Sequence, residues 1–422
     1  MSFISRRVFL KTSAALVTAS AAGKAVAGAN ERIPAAVIGV RNRGKQVANA
    51  FQGSGRFDMV SICDCDRSMM DKAMVDLQKK LPTKPRLVQD FRRVLDDKNI
   101  GAIINATPDH WHALITTMAL EAGKHVYLEK PASYNINDGR AMVVAQKKHP
   151  KLTVLVGTQQ RSGQHFKDAR QFVTEGGLGK VAFSRAWITH TRPVIPIIPD
   201  SDPPTSLDYE MWLGPAPYRP YNKNRVHYNW HFMKDYGTGE MGNWGTHWLD
   251  IIRYMMNLDL PESVSGTGGK FVFRDAKEWP DTQTLTFEYP DLTLLWEERL
   301  WTNFRIHDMA CGAELGGEKG SLVIDREGWT FYPKKGEPVK HPGSPLTEPH
   351  VKNFANCIAG SAKPVSSIEE GHKSAILCHL GNIAVALNRR LEFDSVTQTI
   401  KNIPEANSYF GREYRKPWKL PS

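Results

Sequence analysis

Two side chains stand out as able to move protons. Lys130 lies in Glu129-Lys130-Pro131, directly after the apolar run His125-Val126-Tyr127-Leu128. A lysine at the end of a buried strand loses solvent, and desolvation lowers the pKa of an ammonium group. Such an amine can polarise a hydroxyl or take its proton. His247 closes the glycine-rich stretch from Gly237 to Thr246 and is the leading acid/base candidate. Asp250 follows it by three positions, on the same face of the expected helix, where it could stabilise an imidazolium. His110 and His112 form an H-x-H, but no third or fourth ligand accompanies them, so no metal site is expected.

A second group of residues suits a dinucleotide. Residues 33–40 form an apolar run of strand length, followed by Arg41-Asn42-Arg43-Gly44 and a helical stretch from Lys45 to Gln52. Gly39 and Gly44 match the outer glycines of G-x-G-x-x-G, while Arg41 takes the place of the middle one. Such a turn lets a pyrophosphate approach the backbone and sit on the helix N-terminus. Asp64 closes a second strand, Phe57 to Cys63, 20 residues after Gly44. An acid there can bind ribose hydroxyls and repels a 2′-phosphate, which favours NAD over NADP. Asp66 is the rival for this role, and Arg67 leaves room for NADP.

The elements that must position these residues alternate. A helix from Met69 to Leu81, a short strand before Asp90 and a helix from Phe91 to Asp96 lead to the apolar strand 102–106. That strand ends in Thr107-Pro108-Asp109-His110-Trp111-His112 and opens a helix from Ala113 to Ala122. Strand–helix alternation means a parallel sheet, which binds ligands at the carboxyl ends of its strands. Gly39, Asp64, Thr107, Pro108, Glu129 and Lys130 all fall at such ends. From about Thr153 the pattern changes to strand-like runs at 180–188, 263–273, 282–289, 293–300 and 320–324. Between them lies an insertion, Arg192 to Phe232, rich in Pro, Tyr and Trp, readable as a lid, an assembly surface or packing. A helix over 371–390 is expected to return to the first domain.

The sequence resembles the Gfo/Idh/MocA oxidoreductase family. The resemblance is carried by the turn Gly39–Gly44, by Asp64, by residues 106–112 and above all by residues 122–131, which end in Glu129-Lys130-Pro131; it extends through Gly245-Thr246-His247-Trp248-Leu249-Asp250. It implies an α/β Rossmann domain, residues 30–150, followed by an α+β substrate domain, 151–422, built on a large, mostly antiparallel open sheet. It also implies that Lys130 lies beside the nicotinamide and the reacting hydroxyl. Cofactor contacts are expected from Gly39, Arg41, Asn42, Arg43, Gly44, Asp64, Thr107, Pro108, His112, Glu129 and Lys130. Substrate contacts are expected from Arg161, Trp187, Asn243 and His247, with His165 a further candidate. Asn243 is a departure: the family commonly has an aspartate four residues before the histidine, and an amide can orient an imidazole but cannot neutralise its cation.

Residues 1–29 carry Arg6, Arg7, Lys11 and Lys24 and no acid; a weakly apolar segment and small residues follow the Arg pair. This order resembles a twin-arginine signal, which exports folded proteins through the twin-arginine translocase to the periplasm or beyond. Of the formal charge of +11, these four residues account for a third, and the rest is scattered, which argues against nucleic-acid binding. The odd count of five cysteines makes a disulfide framework unexpected. No other apolar run is long enough to span a bilayer. The expected protein is an exported, homo-oligomeric, nicotinamide-dependent oxidoreductase of a sugar, polyol or sugar derivative, whose cofactor is held tightly and recycled internally. Its rivals are a glycoside hydrolase or lyase that works by transient oxidation with bound NAD, and a noncatalytic sugar-binding protein.

Overall fold

The computed structural model describes residues 32–78, 81 and 84–421. The proposed signal, 1–29, lies outside them. The first domain alternates strands and helices: β1 (Ile33–Ile38), α1 (Asn42–Gly53), β2 (Phe57–Cys63), α2 (Arg67–Leu77), β3 (Arg86–Val88), α3 (Arg92–Asp96), β4 (Ala102–Asn105), α4 (His112–Glu121), β5 (His125–Leu128), α5 (Ile136–Lys148) and β6 (Val154–Val156). The strands form one parallel sheet in the order β3-β2-β1-β4-β5-β6. Its central strands β1, β4 and β5 are almost wholly buried, which explains why they read as continuous apolar runs. β6 extends this sheet past residue 150; three residues are too few to signal a strand in sequence.

The second domain continues with α6 (Gln164–Thr174), β7 (Val181–Thr189), α7 (Tyr209–Leu213), α8 (Thr246–Met256), β8 (Ser263–Gly269), β9 (Thr282–Tyr289), β10 (Leu292–Arg299), β11 (Cys311–Gly317), β12 (Gly320–Ile324), β13 (Gly328–Pro333), β14 (Val339–Pro342), α9 (Thr347–Ile358), α10 (Ile368–Leu387), β15 (Leu391–Asp394) and β16 (Thr399–Ile400). Its strands run in the order β14-β13-β12-β11-β7-β10-β9-β8-β15-β16. All pairs are antiparallel except β7 with β10. Alternate residues of β9 and β10 face a core shared with α8 and α10.

Two late helices tie the domains together. Val351, Phe354 and Ala355 of α9 complete the first domain's core against Phe51, Phe57 and Tyr127. The Phe354 ring stacks on Phe57 with centroids 5.8 Å apart. α10 packs between α5 and β8. The insertion 192–232 buries Tyr209, Trp212 and Tyr221 in a cluster completed by Tyr236, just beyond it. It is also bonded to the first domain: Arg67 N–H donates to Ser206 O, Asp208 N–H to Cys65 O, and His227 Nε2 lies 2.7 Å from Asp66 Oδ2. All five cysteines are free thiols. Among the described residues, no helix is long and apolar enough to cross a membrane, and no cluster of three or more metal-ligating side chains occurs.

Candidate active site

A cleft of about 540 Å³ opens along the carboxyl edge of the parallel sheet, between the first domain, the insertion and the start of α8. The glycine turn forms one end. Gly39 has φ +84°, and a Cβ there would stand 2.6 Å from Ala106 O; a Cβ on Gly44 would stand 1.7 Å from Gly39 O. Both positions therefore need glycine, whereas the middle position tolerates Arg41, which takes φ −64° and lies over Tyr228 at 5.3 Å. No side chain caps α1 and its first turn holds no acid, so its leading N–H groups face the cleft free to bind an anion.

Asp64 lines the cleft beside this turn. Its Oδ2 accepts from Val40 N–H at 2.9 Å and its Oδ1 from Asp66 N–H at 3.0 Å. Each oxygen keeps a further acceptor position for a ribose hydroxyl. Asp66 is engaged elsewhere: it caps α2 through Ser68 N–H and pairs with His227. Burial raises the Asp66 carboxyl, but bonds from His227 and Ser68 outweigh it and leave the pKa lowered.

Lys130 leaves β5 into the other half of the cleft. Its ammonium donates to Asn243 O at 2.9 Å and Asn243 Oδ1 at 3.0 Å. Burial pushes its pKa below the usual 10.5, against the pull of the Glu129 and Asp109 carboxylates. Glu129 holds Arg43 at 2.7 Å, which links the E-K-P segment to the glycine turn. Asn243 in turn donates to Glu240 Oε2 at 3.2 Å, and Glu240 pairs with Arg192 at 2.7 Å. Thr238 Oγ1 donates to Asp109 at 2.7 Å; burial raises that carboxyl to about 7.

Asn243 and Trp244 sit on a π-helical turn, Met241–Gly245, that leads into α8. Wide turns of this kind re-aim side chains and recur at functional sites. Here the turn brings Asn243, Trp244 and His247 to one wall. His247 is buried, its Nδ1 has no partner, and burial followed by the cations of Arg326, Lys130 and Arg43 holds its pKa well below 6.5. It is therefore a neutral imidazole at pH 7.

Several expected contacts lie elsewhere. Asn243 orients Lys130, not the imidazole. Asp250 does not reach His247: it takes a bidentate bond from Arg161, at 2.9 and 2.8 Å, and a bond from Ser374. Arg161 also lies 3.2 Å from Glu370, so its charge is spent inside the core and it does not line the cleft. Trp187 is fully buried and donates to Met309 O at 3.1 Å. His165 bonds Ser344 and Asp325 O. His112 bridges Pro131 O and Thr107 O, and so fixes the strand ends beneath the cleft without lining it. Gln159, Arg192, Trp230, His231 and Arg326 line the cleft without any local sequence signal.

Comparisons with known proteins agree with this architecture. The model for the oxidoreductase family NAD-binding Rossmann fold matches residues 33–158, and the model for the oxidoreductase family C-terminal alpha/beta domain matches 183–291 and 336–420. An uncharacterized oxidoreductase, YrbE, of Bacillus subtilis is 25% identical over 67% of this chain and 74% of its own length. Levoglucosan dehydrogenase of Pseudarthrobacter phenanthrenivorans is 28% identical over 40% of this chain and 36% of its own. An alpha-N-acetylgalactosaminidase of Shewanella oneidensis is 29% identical over 32% of this chain and 35% of its own. The crystal structure of an oxidoreductase domain protein from Kribbella flavida covers 86% of this chain and 99% of its own, with a TM-score of 0.70 at 20% identity. The two family models together span both domains, and the chain belongs to the Gfo/Idh/MocA family of NAD(P)-dependent oxidoreductases.

Proposed function

We propose that the protein oxidises a carbohydrate hydroxyl, with NAD as the cofactor and Lys130 as the acid/base group. The observation that carries this is Lys130 itself: a half-buried amine of lowered pKa at the strand end, held by two neutral oxygens and open to the cleft. The cleft suits a dinucleotide. Gly39 and Gly44 leave no room for a side chain, α1 offers uncapped N–H groups, and Asp64 offers acceptors at the ribose position while repelling a 2′-phosphate. When bound, the nicotinamide accepts the hydride. Lys130 takes the hydroxyl proton as the carbon is oxidised, and neutral His247 accepts or returns a proton on the same wall. The levoglucosan dehydrogenase relative supports a carbohydrate as substrate.

The finer reading is that the dinucleotide is loaded before export by the twin-arginine route and stays bound through each cycle. The insertion supports it. Its bonds to the segment after β2, through Ser206, Asp208 and His227, close the cleft over Asp64. A retained cofactor must return its hydride, either to a second carbohydrate or to the oxidised intermediate. A glycoside cleavage by transient oxidation is the second reading, favoured by the galactosaminidase relative. The test is to purify the protein without added cofactor, denature it and measure released dinucleotide. About one equivalent per chain is expected. Less than about a tenth of an equivalent, with turnover that depends on free NAD at micromolar affinity or weaker, would return the protein to an ordinary dehydrogenase.

A further inference from the structure

The cations around the cleft are unevenly matched. Arg43 has Glu129 and Arg192 has Glu240, each at 2.7 Å. Arg326, on the turn between β12 and β13, has no carboxylate partner among the described residues. Its guanidinium lies over the Trp244 ring at 5.1 Å, and its Nε is buried without a partner. Trp244 stands 6.0 Å from the His247 ring, whose Nδ1 is also without a partner, and Gln159 Oε1 is a third such atom in the same cleft. Two more line the same cleft, Arg43 Nη2 and, outside hydrogen-bonding geometry to Glu240, Arg192 Nε. Folded proteins leave few buried polar atoms unpaired, and five around one cavity point to a ligand.

We propose that Arg326 anchors an anionic oxygen group on the carbohydrate, and that this group is a carboxylate, as in a uronic or aldonic acid. The inference rests on the hydride-transfer reading of the same cleft. Arg326 belongs to the second-domain wall beside Trp244 and His247, whereas the glycine turn and α1 belong to the first domain. The anion it takes is therefore a substrate group rather than the cofactor's pyrophosphate. A guanidinium fork matches the two oxygens of a carboxylate in one plane, and stacking on Trp244 fixes that plane. Arg41 of the glycine turn also lacks a carboxylate but belongs to the dinucleotide end; on the second-domain side Arg192 holds Glu240, and the one guanidinium left, Arg326, balances one negative charge. A phosphate dianion would call on Arg43 or Arg192, which already hold carboxylates.

The test uses the full chain with its bound cofactor and a panel of glucuronate, gluconate, glucose and glucose 6-phosphate. Binding is measured by calorimetry, and hydride transfer by absorbance of reduced nicotinamide. The parent should prefer the carboxylates over glucose. Arg326→Gln should cut that preference roughly 10- to 100-fold, the loss expected for a charged hydrogen bond, with dinucleotide content unchanged. Arg326→Lys should recover part of it. No preference for either acid in the parent overturns the inference, as does an equal loss for acid and neutral sugars in Arg326→Gln. Loss of dinucleotide from Arg326→Gln would assign Arg326 to the cofactor. A preference for glucose 6-phosphate over the acids would overturn the carboxylate assignment. Uronate binding that depends on Arg326 without any hydride transfer would sustain this inference and overturn the hydride-transfer reading. Hydride transfer from neutral sugars alone would do the reverse.

Discussion

The Lys130 ammonium donates to both oxygens of Asn243, the backbone carbonyl at 2.9 Å and the side-chain carbonyl at 3.0 Å, across 113 residues of chain. The pair joins the carboxyl end of β5 to the π-helical entry of α8, so it fixes the two domains at the point where chemistry is expected. Two neutral acceptors position the amine without the full charge that would strongly favour its protonated form, and burial then lowers its pKa.

Asp64 should govern affinity for the dinucleotide. Asp64→Ala removes acceptors at the ribose position and also frees Val40 N–H. NAD affinity should fall at least about 10-fold, and the preference over NADP should narrow because the repelling charge is gone. Calorimetric titration of the cofactor-stripped protein with each dinucleotide checks this. Unchanged affinities would remove Asp64 from the ribose site.

The pH profile should report His247. Burial first, and then Arg326, Lys130 and Arg43, depress its pKa below 6.5. A group whose pKa is depressed in this way keeps its basic form down to acid pH. The acid limb of kcat/KM should therefore lie below 6.5, be absent in His247→Ala, and move to higher pH in Arg326→Gln, which removes the foremost cation. An identical limb in His247→Ala would exclude the imidazole.

Much of this arrangement is legible in the chain because it is local. The glycine turn, Asp64 and Glu129-Lys130-Pro131 each sit at the end of an apolar run, and in a parallel sheet those ends meet. What is not legible is set by distant pairing. Arg161 looks like a substrate ligand until Asp250, 89 residues away, takes its charge. The i+3 spacing puts Asp250 and His247 near one another on α8, but it cannot say which of them faces α10. Arg326 carries no signal at all: it is one arginine on a turn, and only the sheet order brings β12–β13 against the cleft. The insertion reads as aromatic packing, and its cluster around Trp212 is that, yet His227 also meets Asp66 across 161 residues.

That last contact should control cofactor retention. His227→Ala removes the bond to Asp66 and loosens the insertion over the adenosine end of the cleft. The variant should lose its dinucleotide at least several-fold faster during gel filtration, with the fold intact by circular dichroism. Equal retention would show that the insertion does not hold the cofactor.

Asp109 gives a stability test with a defined sign. Its folded-state pKa is about 7, above the ordinary 3.8, so the folded protein keeps a proton that the unfolded chain releases. Its favourable contribution is present below about pH 4 and is lost as pH rises toward 7. Asp109→Asn retains an acceptor for Thr238 Oγ1 but cannot ionise. The difference in Tm, variant minus parent, should grow from pH 4 to pH 8 in scanning calorimetry. A difference independent of pH would contradict the burial of a titrating carboxyl.

The most direct measurement mixes the cofactor-loaded protein rapidly with a carbohydrate panel and follows reduced nicotinamide by absorbance, in the parent and in Lys130→Met. The account predicts a fast phase of at most one equivalent per site in the parent. In Lys130→Met the phase should be slowed at least about 100-fold, the lower bound for losing a general acid/base group, with dinucleotide content and Tm unchanged. A variant within about threefold of the parent, or glycoside cleavage by the parent with no reduction of the bound nicotinamide, would contradict it.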